Sequence, residues 1–258
     1  MKKLLSTPLL PTNKVKTVFV SAEYPNIIES LTEKFNLDII EVEQNPDLEP
    51  SISSHADCML IQIDLNTVLV EKYNYNKIVN YFTSVIGEVN SNFNIIMEKE
   101  QIKSPYPGDV KLNCKVIGNR IICNKTNISS FIKAYAHKSN IELIHTNQGY
   151  AACSAIVLND NALITDDKSI YISSKSNGID CILISKGSVK LKGHNYGFIG
   201  GTCGMLDKNL LAFTGKLKSH SDAERIIGFL NKHNINYIEL SDGPLIDIGG
   251  IIPLIENT

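Results

Sequence analysis

The feature that most limits what this chain can fold into is a repeat. Setting Gly149 on Gly197, a shift of 48 residues, places Ser154 on Thr202, Ala155 on Cys203, Leu158 on Leu206 and Asn161 on Asn209 without a gap. A shift of 41 brings Asn113 onto Ser154, Cys114 onto Ala155 and Val116 onto Val157. A fixed period of this kind marks an array of one supersecondary unit and changes the meaning of every residue inside it. Two columns emerge: a small polar one, Asn113, Ser154 and Thr202, and a small one, Cys114, Ala155 and Cys203. Small residues recurring at one place in successive strands suit a close approach of those strands around a common axis.

Each unit reads as strand, strand, helix, strand, with glycine or a polar cluster at every boundary. The units span about 57–97, 109–144, 150–184 and 198–240, and their first strands are expected over 57–63, 109–117, 150–158 and 198–206. The remaining segments complement each other. Strand 17–20, a helix opened by Pro25 and running to Phe35, and strand 38–42 lack a preceding strand, whereas 249–254 is a lone strand with no helix after it. Joined, 17–43 and 249–254 make a fifth unit, and pairing the terminal strands closes a ring without exposed sheet edges. The expectation is an α/β propeller of five blades in a single domain, 1–258.

Composition narrows the function. Of 25 basic residues only Arg120 and Arg225 are arginines, and the net charge is -2, which argues against a nucleic-acid surface built on guanidinium forks. The six cysteines lie inside apolar runs with no C-x-x-C spacing, so they read as buried thiols of a reducing compartment, with no metal site and no cofactor called for. Met1-Lys2-Lys3-Leu4-Leu5 imitates a signal peptide, but Ser6, Thr7 and Pro8 cut its apolar run short. No stretch reaches the roughly 20 apolar residues of a membrane span. A cytoplasmic protein is expected, with no membrane partner and an oligomeric state left open.

Strand-strand-helix-strand units closed by terminal pairing resemble the pentein, or guanidino-group-modifying-enzyme, fold. Gln148-Gly-Tyr-Ala-Ala-Cys-Ser154, Gly197-Phe-Ile-Gly-Gly201 and Asp247-Ile-Gly-Gly250 look like a clostridial, hence bacterial, branch of it. The resemblance implies relatives among arginine and agmatine deiminases, dimethylarginine hydrolases and amidinotransferases, and a ribosome anti-association factor that is not an enzyme. The enzymes use a cysteine nucleophile on the last strand, in agmatine deiminases after a run ending Gly-Ile-His-Cys. Here that run is Gly249-Gly250-Ile251-Ile252-Pro253, and no cysteine follows Leu240, so thiolate attack from the family position is not available.

Two functional classes follow. In the first, an axial pocket lined by Asn113, Ser154, Thr202, Gly200, Gly201 and Asp247 binds a small cationic or polar ligand without catalysis, or serves an interaction role. Asp247, a lone carboxylate in an apolar segment and so costly to bury unpaired, either binds a cationic ligand or accepts backbone N–H bonds at the ring-closing turn. In the second, a hydrolase or deiminase has relocated its nucleophile to Cys203 or Cys153, with His220 or His194 as base. His220 also reads as a residue at a helix start, Asp166 and Asp167 as an N-cap, and Ser154 as part of a satisfied internal network. The glycines of 197–204 lack phosphate-loop spacing.

Overall fold

The computed structural model describes residues 2–85 and 93–258. Four three-stranded sheets repeat one topology: β4 (Leu60–Asp64), β5 (Thr67–Val70) and β6 (Asn94–Met97); β7 (Lys115–Ile117), β8 (Arg120–Cys123) and β9 (Glu142–His145); β10 (Ala155–Asn159), β11 (Ala162–Thr165) and β12 (Asp180–Leu183); β13 (Cys203–Asp207), β14 (Leu210–Phe213) and β15 (Asn236–Glu239). In each, the first pair is antiparallel through a tight turn and the second is parallel. A parallel pair needs a crossover, which a helix supplies. These helices are α3 (Lys72–Val85), α4 (Ser130–Lys138), α5 (Lys168–Ser176) and α6 (Ala223–Lys232). The sequence pattern places this first crossover helix at about 76–86, and its end at Ile86 lies outside the described residues.

The fifth sheet closes the ring. It runs β1 (Lys2–Leu4), β16 (Ile252–Asn257), β2 (Val15–Ser21) and β3 (Asp38–Val42), with α1 (Pro25–Phe35) crossing from β2 to β3. Ile252 pairs with Phe19, so the C-terminal strand supplies the place of a first strand. Pro253 cannot donate to the ladder and falls where the register shifts, at the bulge before Ile255. The N-terminal residues that imitate a signal peptide cover the outer edge of β16, Leu4 opposite Ile255. Glu256 is buried there and accepts from the Thr12 and Asn13 amides at 2.6 and 2.7 Å, with the Lys3 ammonium 3.2 Å away.

Local sequence explains the helices. In α1, Pro25 occupies the first turn, Ile27, Ser30 and Leu31 bury one face, and Asn36 ends the helix at φ 53°. Asp167 caps α5 by accepting from the Ser169 and Ile170 amides at 2.8 and 3.1 Å. Asp166, its neighbour, points inward and is buried.

The first strands are shorter than the sequence pattern implies. They start at Leu60, Lys115, Ala155 and Cys203, and ahead of three of them the residues form helical turns: α2 (Ala56–Met59), a turn closed by Ser154 N–H to Tyr150 O at 3.0 Å, and a 3-10 turn over Ile199–Thr202. β16 likewise begins at Ile252, after Gly249 and Gly250 at φ 74° and 80°, rather than at Gly249. The cause is crowding. A Cβ on Gly200 would lie 2.5 Å from the Ala155 carbonyl oxygen and 2.6 Å from those of Ala152 and Cys153. Small residues there let the backbone coil tightly against the adjoining blade.

Candidate functional site

Cross-strand register defines equivalent positions in the blades. Leu60 faces Val70, Ala155 faces Thr165 and Cys203 faces Phe213, each the last residue of its second strand. Five residues earlier stand His55, Tyr150 and Phe198, and all three line one cavity of about 300 Å³ with Cys153, Asp247, Glu49 and His194. Three residues earlier stand Asp57, Ala152 and Gly200; two earlier stand Cys58, Cys153 and Gly201. On the closing strand, counting back from the Ile252–Phe19 pair puts Gly250 opposite Ser21 and Asp247 in the column of Asp57.

Asp247 is 1% exposed and held in place. Its carboxylate accepts from the Phe198 and Gly249 amides at 2.9 and 3.0 Å. Gly201 gives it room: a Cβ there would sit 1.8 Å from Oδ1. Burial pushes the Asp247 pKa up, opposed by His55 and by the two amides. His55 Nδ1 lies 3.7 Å from Asp247 Oδ1, close enough for an electrostatic contact but beyond hydrogen-bond reach, so neither ring nitrogen of this buried imidazole makes a hydrogen bond. Gly249 packs on His55, where a Cβ would come within 2.4 Å of it.

Asn113 ties two blades together below the pocket. Its Oδ1 accepts from the Ala152 amide at 2.8 Å, which orients the side chain so that Nδ2 donates to Cys153 Sγ at 3.0 Å and Cys58 Sγ at 3.3 Å. Cys153 has its pKa raised well above the ordinary thiol range by burial, by its contact with Cys58 and by Asp57. It is therefore a protonated thiol in the unliganded protein. Lys115 is buried nearby; burial lowers its pKa, while Asp57, Cys203, Cys153 and Asp247 pull the other way.

The two walls differ in character. Tyr150 stacks on Phe198 at 6.0 Å and Tyr196 meets Phe198 edge-on at 6.4 Å, forming an aromatic side. At the mouth, His194 Nε2 lies 2.8 Å from Glu49 Oε1 and 2.9 Å from Ser51 Oγ. Among the described lining residues there is no lysine or arginine.

The structure distributes the residues singled out in the sequence over several places. Asp247, Cys153 and His194 line the cavity. Asn113 lies beneath it, and Thr202 turns back to the Ile199 carbonyl at 2.7 Å. Ser154 is buried with no partner for its hydroxyl, so it belongs to no satisfied network. Gly200 and Cys203 line a different, narrow cleft with Lys115 and Ile251, and burial pushes the Cys203 thiol up to about 12. His220 is not among the cavity-lining residues; it accepts from the Asp222 amide at 3.0 Å at the start of α6. Cys203 and Asp247 therefore line different cavities, and His220 lines neither of them.

His55 and Asp57 escaped the sequence reading, because the polar, proline-bearing stretch ahead of them reads as a surface loop. A signal was present. Extending the repeat columns to the 57–97 unit places His55 with Tyr150 and Phe198, and Asp57 three residues before Leu60.

A ring of five such units is the pentein fold, the fold seen in guanidino-group-modifying enzymes. Within it, the chain belongs to a family of unknown function, DUF6873, whose model matches residues 19–252. Among solved structures the chain is similar to the agmatine deiminase of C. jejuni, with a TM-score of 0.52 and 11% identity over 93% of this chain and 91% of that one. DDAH from Pseudomonas aeruginosa follows at 0.51 and 8%, over 88% and 92%. An amidinotransferase of Microseira wollei matches at 0.50 and 8%, over 95% and 96%. These likenesses establish the fold. No curated protein matches the sequence, and no helix among the described residues is long and apolar enough to cross a membrane.

Proposed function

We propose that the axial cavity binds a small organic cation with a flat head group. The observation that carries this reading is the lining itself: Asp247 and Glu49 supply carboxylates, Tyr150, Tyr196 and Phe198 supply ring faces, and among the described lining residues there is no lysine or arginine to neutralise them. Negative charge beside aromatic faces favours a cation, each ring contributing on the order of 0.5–1 kcal/mol or more when desolvated. The volume of about 300 Å³ is at the small end of ligand pockets.

Calorimetric titration with arginine and with citrulline, its neutral isostere, tests the reading. Arginine should bind at least about tenfold more tightly, a difference of about 1.4 kcal/mol. E49Q, at the exposed mouth where the fold is not at stake, should weaken arginine more than citrulline, and D247N should do so more strongly. Equal affinity for the two compounds overturns the proposal.

A second reading, thiol chemistry, is favoured by one observation: Cys153 shares the cavity with His55, whose ring nitrogens make no hydrogen bond. His55 would then be the base, in place of the sequence candidates His194 and His220. Hydrolysis of a guanidine lost in C153S and retained in C203S would support it.

A further inference from the structure

We infer that the inner end of this site is a divalent metal site of the zinc type, with Asp57, Cys58 and Cys153 as ligands. The carboxylate and the two sulfurs are all buried and lie within 4.8 Å of one another. Tetrahedral zinc, with Zn–S near 2.3 Å and Zn–O near 2.0–2.2 Å, draws ligand atoms to roughly 3–4 Å apart, so closure needs only small side-chain movements.

A cluster of ligand-type residues is not yet a site; the state of Asp57 makes it one. This side chain is 3% exposed, and neither carboxylate oxygen has a hydrogen-bond partner. Buried carboxylates are retained when they are paired or when they coordinate metal. Nearby Lys115 lies within electrostatic reach of Asp57 but makes no hydrogen bond to it, leaving the oxygens available.

The surroundings fit the same chemistry. Asn113 donates to both sulfurs, at 3.3 and 3.0 Å, and is itself oriented by the Ala152 amide, an outer-shell arrangement that suits thiolate ligands. On binding, each thiol gives its proton to solvent and each sulfur lone pair forms a bond to the metal. Two thiolates and one carboxylate carry three negative charges against two on the ion, leaving one net negative charge at the site. Thiolate pairs select zinc over magnesium or calcium. Three protein ligands leave a fourth position for water or another ligand, and Cys153 also lines the cavity with His55.

The ligands come from two blades, Asp57 and Cys58 from one and Cys153 from another, which is why no C-x-x-C spacing announces them. This inference stands apart from the organic-cation reading: it rests on Asp57 and Cys58 beneath the cavity, whereas that one rests on Asp247, Glu49 and the aromatic wall.

Cobalt(II) added to the reduced, metal-stripped full-length protein provides the test. One equivalent should bind, with sulfur-to-cobalt charge transfer in the near ultraviolet and tetrahedral d–d bands in the visible. C58S and C153S should each lower the charge-transfer intensity by about half and the affinity by at least about 100-fold, more than the 10–100-fold usual for an outer-shell change. D57N should keep the charge-transfer bands and lose affinity, and C181S, on the third strand of the Cys153 blade and outside the cluster, should match the wild type. Competition with a chromogenic chelator then gives the zinc stoichiometry. Absence of thiolate charge transfer in the wild-type protein, a measurement independent of any variant's folding, overturns the inference; so does wild-type cobalt binding by folded C58S or C153S.

Discussion

Two helical turns at equivalent places in the ring, 55–59 and 198–202, have opposite chemistry. The first carries His55, Asp57 and Cys58, with both His55 ring nitrogens and both Asp57 oxygens unpartnered. The second carries Phe198, Gly200, Gly201 and Thr202, and its polar groups are spent internally: Thr202 on Ile199, the Phe198 amide on Asp247, the Ile199 amide on Asp166 at 3.0 Å. The comparison teaches how a nearly symmetric ring acquires a one-sided site. Glycines on one blade make the space into which the closing strand's Asp247 fits, and side chains on the other fill the matching space with ligating atoms.

Exchanging the character of the glycine turn should have the largest effect. In G201A the new methyl overlaps the Asp247 carboxylate, since a Cβ would lie 1.8 Å from Oδ1, and the stability measured by urea unfolding should fall by about 3 kcal/mol or more. Adding D247A should recover part of that loss. Additive effects in the double-mutant cycle would show that the glycine does not serve Asp247.

A smaller effect is expected at Asp166, the carboxylate that holds the glycine turn. Burial raises its pKa from 3.8 to about 7, against the Ile199 amide and Lys186, and the neighbouring acids Asp167 and Asp247 add to the rise. The folded state thus binds the proton more tightly than the unfolded one, so this contribution to stability is complete below pH 3.8 and is lost as pH rises through about 7. D166N, whose amide oxygen can still accept from Ile199, should remove that slope and be more stable than wild type at pH 8 by on the order of 2 kcal/mol. An unchanged pH profile of the melting temperature would refute the assignment.

The smallest change belongs to His220, which lies outside both turns. Burial lowers its pKa below 6.5, so its stabilising bond from the Asp222 amide is present above that value and is lost as pH falls below it. H220A should cost about 1 kcal/mol at pH 8, the scale of a lost helix cap, and leave arginine and cobalt titrations unmoved. Loss of either titration would extend the polar site to the start of α6 and break the contrast between the turns.

Much of the architecture was legible because it depends on local patterns that repeat. The columns through Ser154 and Thr202 located the units, Pro25 and Asp167 marked helix starts, and the missing first strand of one terminal segment matched the lone strand of the other. The helical turns were not legible. Ala151-Ala152-Cys153-Ser154 and Ile199-Gly200-Gly201-Thr202 follow apolar or glycine-rich patterns that extend a strand as readily as they coil, and contact with the adjoining blade decides between them. That misjudgement concealed the site, for a strand would send neighbouring side chains to opposite faces, whereas a turn collects His55, Asp57 and Cys58 near one axis.

By itself the sequence determined the repeat, the ring closure and the absence of a cysteine after Leu240, because each is a matter of pattern and chain order. Tertiary structure alone decided which thiol faces the cavity, that Asp247 meets His55, and that Cys58 and Cys153 stand side by side. Those residues lie up to 192 positions apart in the chain, from His55 to Asp247, and only the folded ring brings them within a few ångströms.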